Sequence, residues 1–205
     1  MNNCFRLGTG IFFTFKLPMT RDELTQKIAN TIGKLKVLEL SRILTEQQFD
    51  LHDLIDITFH PDKPLGFRAA WLLENMFLKD PVVFTDNLEY LIERLPQVTN
   101  PGCQRHYAKI LMHATEEKEQ SQVKKKLNSL DLEPAVEQLF DWMINPKVKI
   151  AVKVFAGWAL LNLRFRYPWV ADELPAQLEF LMRNGTAAIQ SAGRKMMKEL
   201  KSKPL

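Results

Sequence analysis

Seven residues of this chain occur twice in the same order, with no gap needed to align them. Ala69, Trp71, Leu73, Asn75, Pro81, Val83 and Leu91 return 87 positions later as Ala156, Trp158, Leu160, Asn162, Pro168, Val170 and Leu178. Self-similarity at a fixed period marks a stack in which no unit buries its apolar face alone, so each unit covers the next. A two-helix unit of such a stack takes roughly 40–47 residues, so the echo spans two units. The expectation is an all-α, right-handed solenoid of four to five helix pairs in one domain.

Helix starts are legible throughout. Thr20 and Glu23 form a capping box, and Thr45 with Gln48 forms another. Asn100-Pro101, Asn145-Pro146 and Asp80-Pro81 each set a capping residue before a proline suited to the first helical turn. These signals predict helices over 21–33, 46–58, 64–79, 82–95, 102–115, 132–144, 147–166, 169–183 and 186–200. Phe84, Leu88, Leu91, Ile92 and Leu95 share a face at helical spacing, as do Val136, Leu139, Phe140 and Met143. The helix 147–166 is apolar around most of its circumference, which suits a central position. Pro175 is expected to kink 169–183 or confine the helix to its later part. The charged stretch 116–130 is expected as a solvated helical extension, with glutamates preceding lysines along the helix dipole.

Here the chain resembles the HEAT/armadillo superfamily of helical-repeat solenoids. The resemblance rests on Pro64-Leu65-Gly66-Phe67-Arg68-Ala69-Ala70-Trp71 and its degenerate copy ending Ala156-Gly157-Trp158. It also rests on Pro61, Pro101 and Pro146, which open successive units. It covers roughly residues 20–200 and speaks to fold, because such solenoids host adaptors, nucleic-acid binders and a few enzymes.

Residues 1–18 are expected as an appendage to the helical domain at 19–205. Their run Ile11-Phe12-Phe13-Thr14-Phe15 is followed by Lys16-Leu17-Pro18 rather than a small-residue cleavage site, so it makes a poor signal peptide. Met19 is an alternative start. No apolar run approaches the roughly 18 residues of a membrane span. Two cysteines, Cys4 and Cys103, cannot make a disulfide framework, and a reducing, cytoplasmic setting is expected.

The formal net charge of +4 is unevenly spread. Helices 82–95, 132–144 and 169–183 are acidic, and 64–79, 102–115, 147–166 and 186–200 are the basic partners in each pair. In the superfamily the second helix of a pair usually lines the concave surface, which implies an acidic groove for a basic protein or peptide. The expected ridge is Asp86, Glu89, Glu93, Glu137, Asp141, Asp172 and Glu173. The alternative is a nucleic-acid binder of the kind found among DNA-repair glycosylases of the superfamily. Its phosphate contacts would be Lys147, Lys149, Lys153, Arg164, Arg166, Arg194, Lys195 and Lys198.

Chemistry-bearing clusters are weaker. His52, Asp56 and His60 are spaced along one helical face, but Pro61 ends a helix before the third member can join, so a capping or exposed role is expected. Cys103, His106 and His113 share a helix, where a buried thiol and two partly exposed imidazoles are expected. Trp71 and Trp158 are expected as core anchors, and Asn75 and Asn162 as partners of backbone groups in turns. No phosphate loop, dinucleotide fingerprint, zinc-protease motif or nucleophile elbow occurs. No cofactor, metal or catalytic residue is therefore assigned.

Overall fold

The computed structural model of the 205-residue chain describes residues 18–31, 33–116, 118 and 121–202. Eleven α-helices run through them: α1 Arg21–Ala29, α2 Lys34–Thr45, α3 Leu51–Ile57, α4 Lys63–Lys79, α5 Leu88–Glu93, α6 Pro101–Ala114, α7 Ser121–Ser129, α8 Glu133–Ile144, α9 Ile150–Leu163, α10 Pro168–Arg183 and α11 Ala187–Ser202. The expected aromatic run at 11–15, Cys4 and the last three residues lie outside the described residues.

The helices form two layers. In one, α2 packs on α4, α4 on α6, α6 on α9, and α9 on α11. Opposite lie α3, the segment 81–97, α8 and α10. There α3 packs on α4, α8 on α9, and α10 on both α9 and α11. The sequence pairs each helix of the first layer with the segment that follows it. The closest packing pairs it with the segment before, as in α3–α4, α8–α9 and α10–α11. Short turns hold those hairpins together.

Between the layers sits a continuous core. Leu72, Leu73 and Phe77 of α4, Ile110 of α6 and Ala159 and Leu160 of α9 are fully buried. Each large side chain of this kind contributes about 1.5–3 kcal/mol by leaving water. Close approach needs glycine at Gly66 and Gly102, among others. A Cβ on Gly66 would lie 2.7 Å from the Thr58 carbonyl oxygen, and one on Gly102 would lie 2.7 Å from the Phe67 ring.

Several boundaries differ from expectation. Thr20 and Glu23 do close a capping box on α1. Thr45 instead ends α2, and α3 starts at Leu51 under an N-cap bond from the His52 amide to Asp50. Helix α2 was not expected at all, although Val37, Leu40, Ser41 and Leu44 are its buried stripe. The expected helix 82–95 is broken into a 3-10 turn at Pro81–Asn87, the short α5 and a second 3-10 turn at Leu95–Gln97. Val82, Val83 and Thr85 are β-branched and favour α-helix poorly, and Pro96 offers no amide. Asn145 bonds the Lys147 amide, but this closes a turn, and α9 begins only at Ile150. Helix α10 runs through Pro175 without being confined to its later part. Helix α7 is not merely solvated, because Val123 and Leu127 bury against the 81–97 segment.

Candidate functional site

Charge is sorted between the layers more sharply than within either. Asp86, Glu89 and Glu93 on the 81–93 segment, Glu137 and Asp141 on α8, and Asp172 and Glu173 on α10 are all exposed. Glu89 receives Lys126 Nζ from α7 at 2.8 Å. The other six have no ion pair among the described residues. The expected ridge is therefore solvated along one layer, except where α7 lies over its beginning.

The basic set divides. Lys147, Lys149, Arg194, Lys195 and Lys198 are exposed. Lys153 is buried, and its Nζ donates to the Met143 carbonyl at 2.6 Å, tying α9 to the end of α8. Burial holds its ammonium below the ordinary lysine range. Arg164 is also buried and donates to the Leu161 carbonyl while lying over the Phe165 ring. Arg166 donates to the Leu127 and Leu130 carbonyls and so caps the end of α7. The sequence offers these three as phosphate contacts. They serve helix ends instead, where cations balance the negative end of the dipole. Nothing local in the sequence distinguishes them from the exposed cations, because each finds its carbonyl only through the fold.

The other layer presents one solvent-facing stripe per helix. On α4 it runs through Phe67, Trp71 and Asn75, on α6 through Arg105, Lys109 and Met112, and on α9 through Val154, Trp158 and Asn162. All are half-buried. Trp71 and Trp158 thus touch the core but also water, which differs from a pure anchoring role. The repeat-equivalent asparagines have diverged. Asn75 donates to Trp71 O within its own helix, whereas Asn162 reaches Met112 O and Thr115 Oγ1 at the end of α6.

Two layers of stacked helices and an internal period point to one class of protein. Residues 24–200 match the profile of the HEAT repeat domain. The chain belongs to the HEAT repeat family. HEAT repeats are helical-repeat protein-interaction modules. No curated protein and no solved structure matches the chain.

Two polar clusters stitch this HEAT domain together. In one, Glu74 of α4 accepts from His106 Nδ1 at 2.6 Å and from Lys109 Nζ at 2.8 Å, both from α6. His106 is fully buried, which corrects the partly exposed imidazole expected there. Burial pushes the Glu74 carboxyl up, but the bonds from His106 and Lys109 outweigh it and hold it below its ordinary range. Burial also lowers His106, against the pull of Glu74. A neutral ring donating from Nδ1 leaves only a lone pair on Nε2. That is the form in which this buried atom, which has no partner among the described residues, costs least.

In the other, Asp56 of α3 accepts from Tyr90 Oη at 2.6 Å, from Arg21 Nη1 at 3.3 Å and from Arg94 Nη2. Arg94 lies over the Phe59 and Tyr90 rings, and Tyr90 stacks on His52 at 4.2 Å. Burial raises the Asp56 carboxyl, and the Tyr90 and Arg94 bonds bring it to a net value below the ordinary one. His60 Nδ1 accepts the Asp62 amide at 3.1 Å in the turn after α3. His52, Asp56 and His60 therefore do not converge. Cys103 Sγ donates to Thr58 O at 3.5 Å, and burial pushes its thiol up to about 12, which leaves it unreactive. His113 pairs with Glu116 at 3.0 Å. Among the described residues no helix is long and apolar enough to cross a membrane.

Proposed function

We propose that this HEAT domain is a non-enzymatic interaction module that takes up a basic segment of a partner protein along its acidic layer. The observation that carries this reading is the row Asp86, Glu93, Glu137, Asp141, Asp172 and Glu173. These are six exposed carboxylates on three successive elements of one layer, none paired with a cation among the described residues. An exposed carboxylate loses little solvation when a lysine or arginine approaches, and several in a row steer such a segment before contact. The same row repels phosphate. The nucleic-acid alternative is weakened further because Lys153, Arg164 and Arg166 are spent on backbone carbonyls.

Isothermal titration with an Arg/Lys-rich peptide tests the reading. Binding is expected at low salt, weaker at physiological salt, and lost when Glu137 and Asp141 are both changed to lysine. Binding that ignores both changes, or tighter binding of duplex DNA than of the peptide, overturns it.

A further inference from the structure

The stripes of α4, α6 and α9 lie on one side, because α6 packs between α4 and α9, Trp71 stacks 6.4 Å from the His106 ring of α6, and Asn162 Nδ2 reaches the Met112 carbonyl of α6 at 3.2 Å. Trp71 and Trp158 occupy equivalent positions of the repeat on the two outer helices of this trio. Neither indole N–H is sealed from solvent or hydrogen-bonded among the described residues, whereas Trp169 Nε1 is held by Glu133 at 3.0 Å. Phe67 extends the first tryptophan at a ring distance of 5.8 Å. Between them, α6 presents Arg105, which has no partner among the described residues, and Lys109. Lys109 Nζ already holds the buried Glu74 carboxylate at 2.8 Å, so Arg105 is the cation this face offers. The face is therefore aromatic at both ends and cationic in the middle.

Spacing selects the occupant. Neighbouring packed helices lie about 8–10 Å apart, so two steps separate Trp71 from Trp158 by roughly 16–20 Å. An extended chain rising about 3.3 Å per residue covers that in about five or six residues. Continuous base stacking would need adjacent rings, and α6 interposes cations instead. We propose that this face binds an extended acidic segment of a partner polypeptide, with an apolar residue at each end seated on Trp71 and Trp158. Its acidic side chains meet Arg105, and its backbone carbonyls accept the two indole N–H groups. This surface is separate from the acidic layer, and a different substitution removes it.

Selection of a random displayed peptide library on the full chain, counter-selected on the Trp71→Ala/Trp158→Ala variant, tests this. The recovered peptides should be acidic, with two apolar residues about five or six positions apart. A synthetic copy should bind on the order of tenfold more weakly after either tryptophan change. It should bind more weakly still to Arg105→Glu, a surface change that spares the core, and equally well to Glu137→Lys. Circular dichroism confirms that each variant is folded. Failure to enrich any peptide overturns the proposal, as does recovery of basic peptides or indifference to Arg105→Glu. Tighter binding of a poly-dT oligonucleotide than of the peptide overturns it in favour of single-stranded nucleic acid.

Discussion

His106 donates from Nδ1 to Glu74 Oε2 across 2.6 Å, and both side chains are sealed at the seam of α4 and α6. The pair makes stability depend on pH with a definite sign. Both groups titrate lower in the folded chain than their ordinary values of 6.5 and 4.5. The stability they supply is thus present above those values and is lost as pH falls through the folded ones. Melting temperature is expected to decline as pH drops below about 6.5, with a slope from His106 of at most about 1.4 kcal/mol per pH unit. In His106→Gln the decline should start only in the carboxylate range. A melting series from pH 7 to pH 4 checks it.

Asp56 of α3 is the shared acceptor of α1 and the 81–97 segment. Asp56→Ala leaves the Tyr90 hydroxyl without its acceptor and leaves Arg94 only Tyr90 and Gln97. The expected cost is about 1–3 kcal/mol in urea unfolding, the range for stranding partly buried donors. Arg21→Ala, whose side chain is more than half exposed, should cost under about 1 kcal/mol.

Two glycines separate packing from propensity. Alanine in a helix interior is favoured over glycine by about 1 kcal/mol. At Gly66 the new Cβ would meet the Thr58 carbonyl oxygen at 2.7 Å, and backbone cannot step aside. Gly66→Ala should therefore destabilise by about 1–3 kcal/mol. At Gly157 the nearest atom is the Met196 sulfur at 3.0 Å, on a flexible side chain, so Gly157→Ala should be near neutral. Denaturation midpoints of the two variants decide this.

Lys153 and Lys198 looked alike in sequence and differ in structure. Lys153→Ala removes the donor to Met143 O and leaves a small cavity, at an expected cost of about 2 kcal/mol. Lys198→Ala on the exposed face of α11 should stay within about 0.5 kcal/mol. Thermal unfolding of both distinguishes a structural cation from a solvated one.

The repeat and the caps were enough to read the solenoid, because each is a local signal with one physical meaning. Thr20 with Glu23 and Asn100 before Pro101 cap the helices they announced. Helix α2 was missed because Gly33, with φ near +90°, starts it without a side-chain cap, although its apolar stripe was present. The layer pairing is not legible because short turns join α9 both to α8 before it and to α10 after it, and only tertiary packing shows which contact is closer. The acidic residues were legible as surface groups, since nothing else accommodates six unpaired carboxylates. Lys153, Arg164 and Arg166 were not, because a cation seeking a helix-end carbonyl has the same sequence signature as one seeking phosphate. The Glu74–His106 pair carried no local signal, its members being 32 residues apart.

Amide chemical-shift mapping of the labelled chain with the Arg/Lys-rich peptide locates the binding surface residue by residue. Perturbations are expected to concentrate at 86–93, 137–141 and 172–173, with the Trp71 and Trp158 indole signals unmoved. Perturbations confined to those indoles and to α6, or an unchanged spectrum at saturating peptide, would contradict binding along the acidic layer.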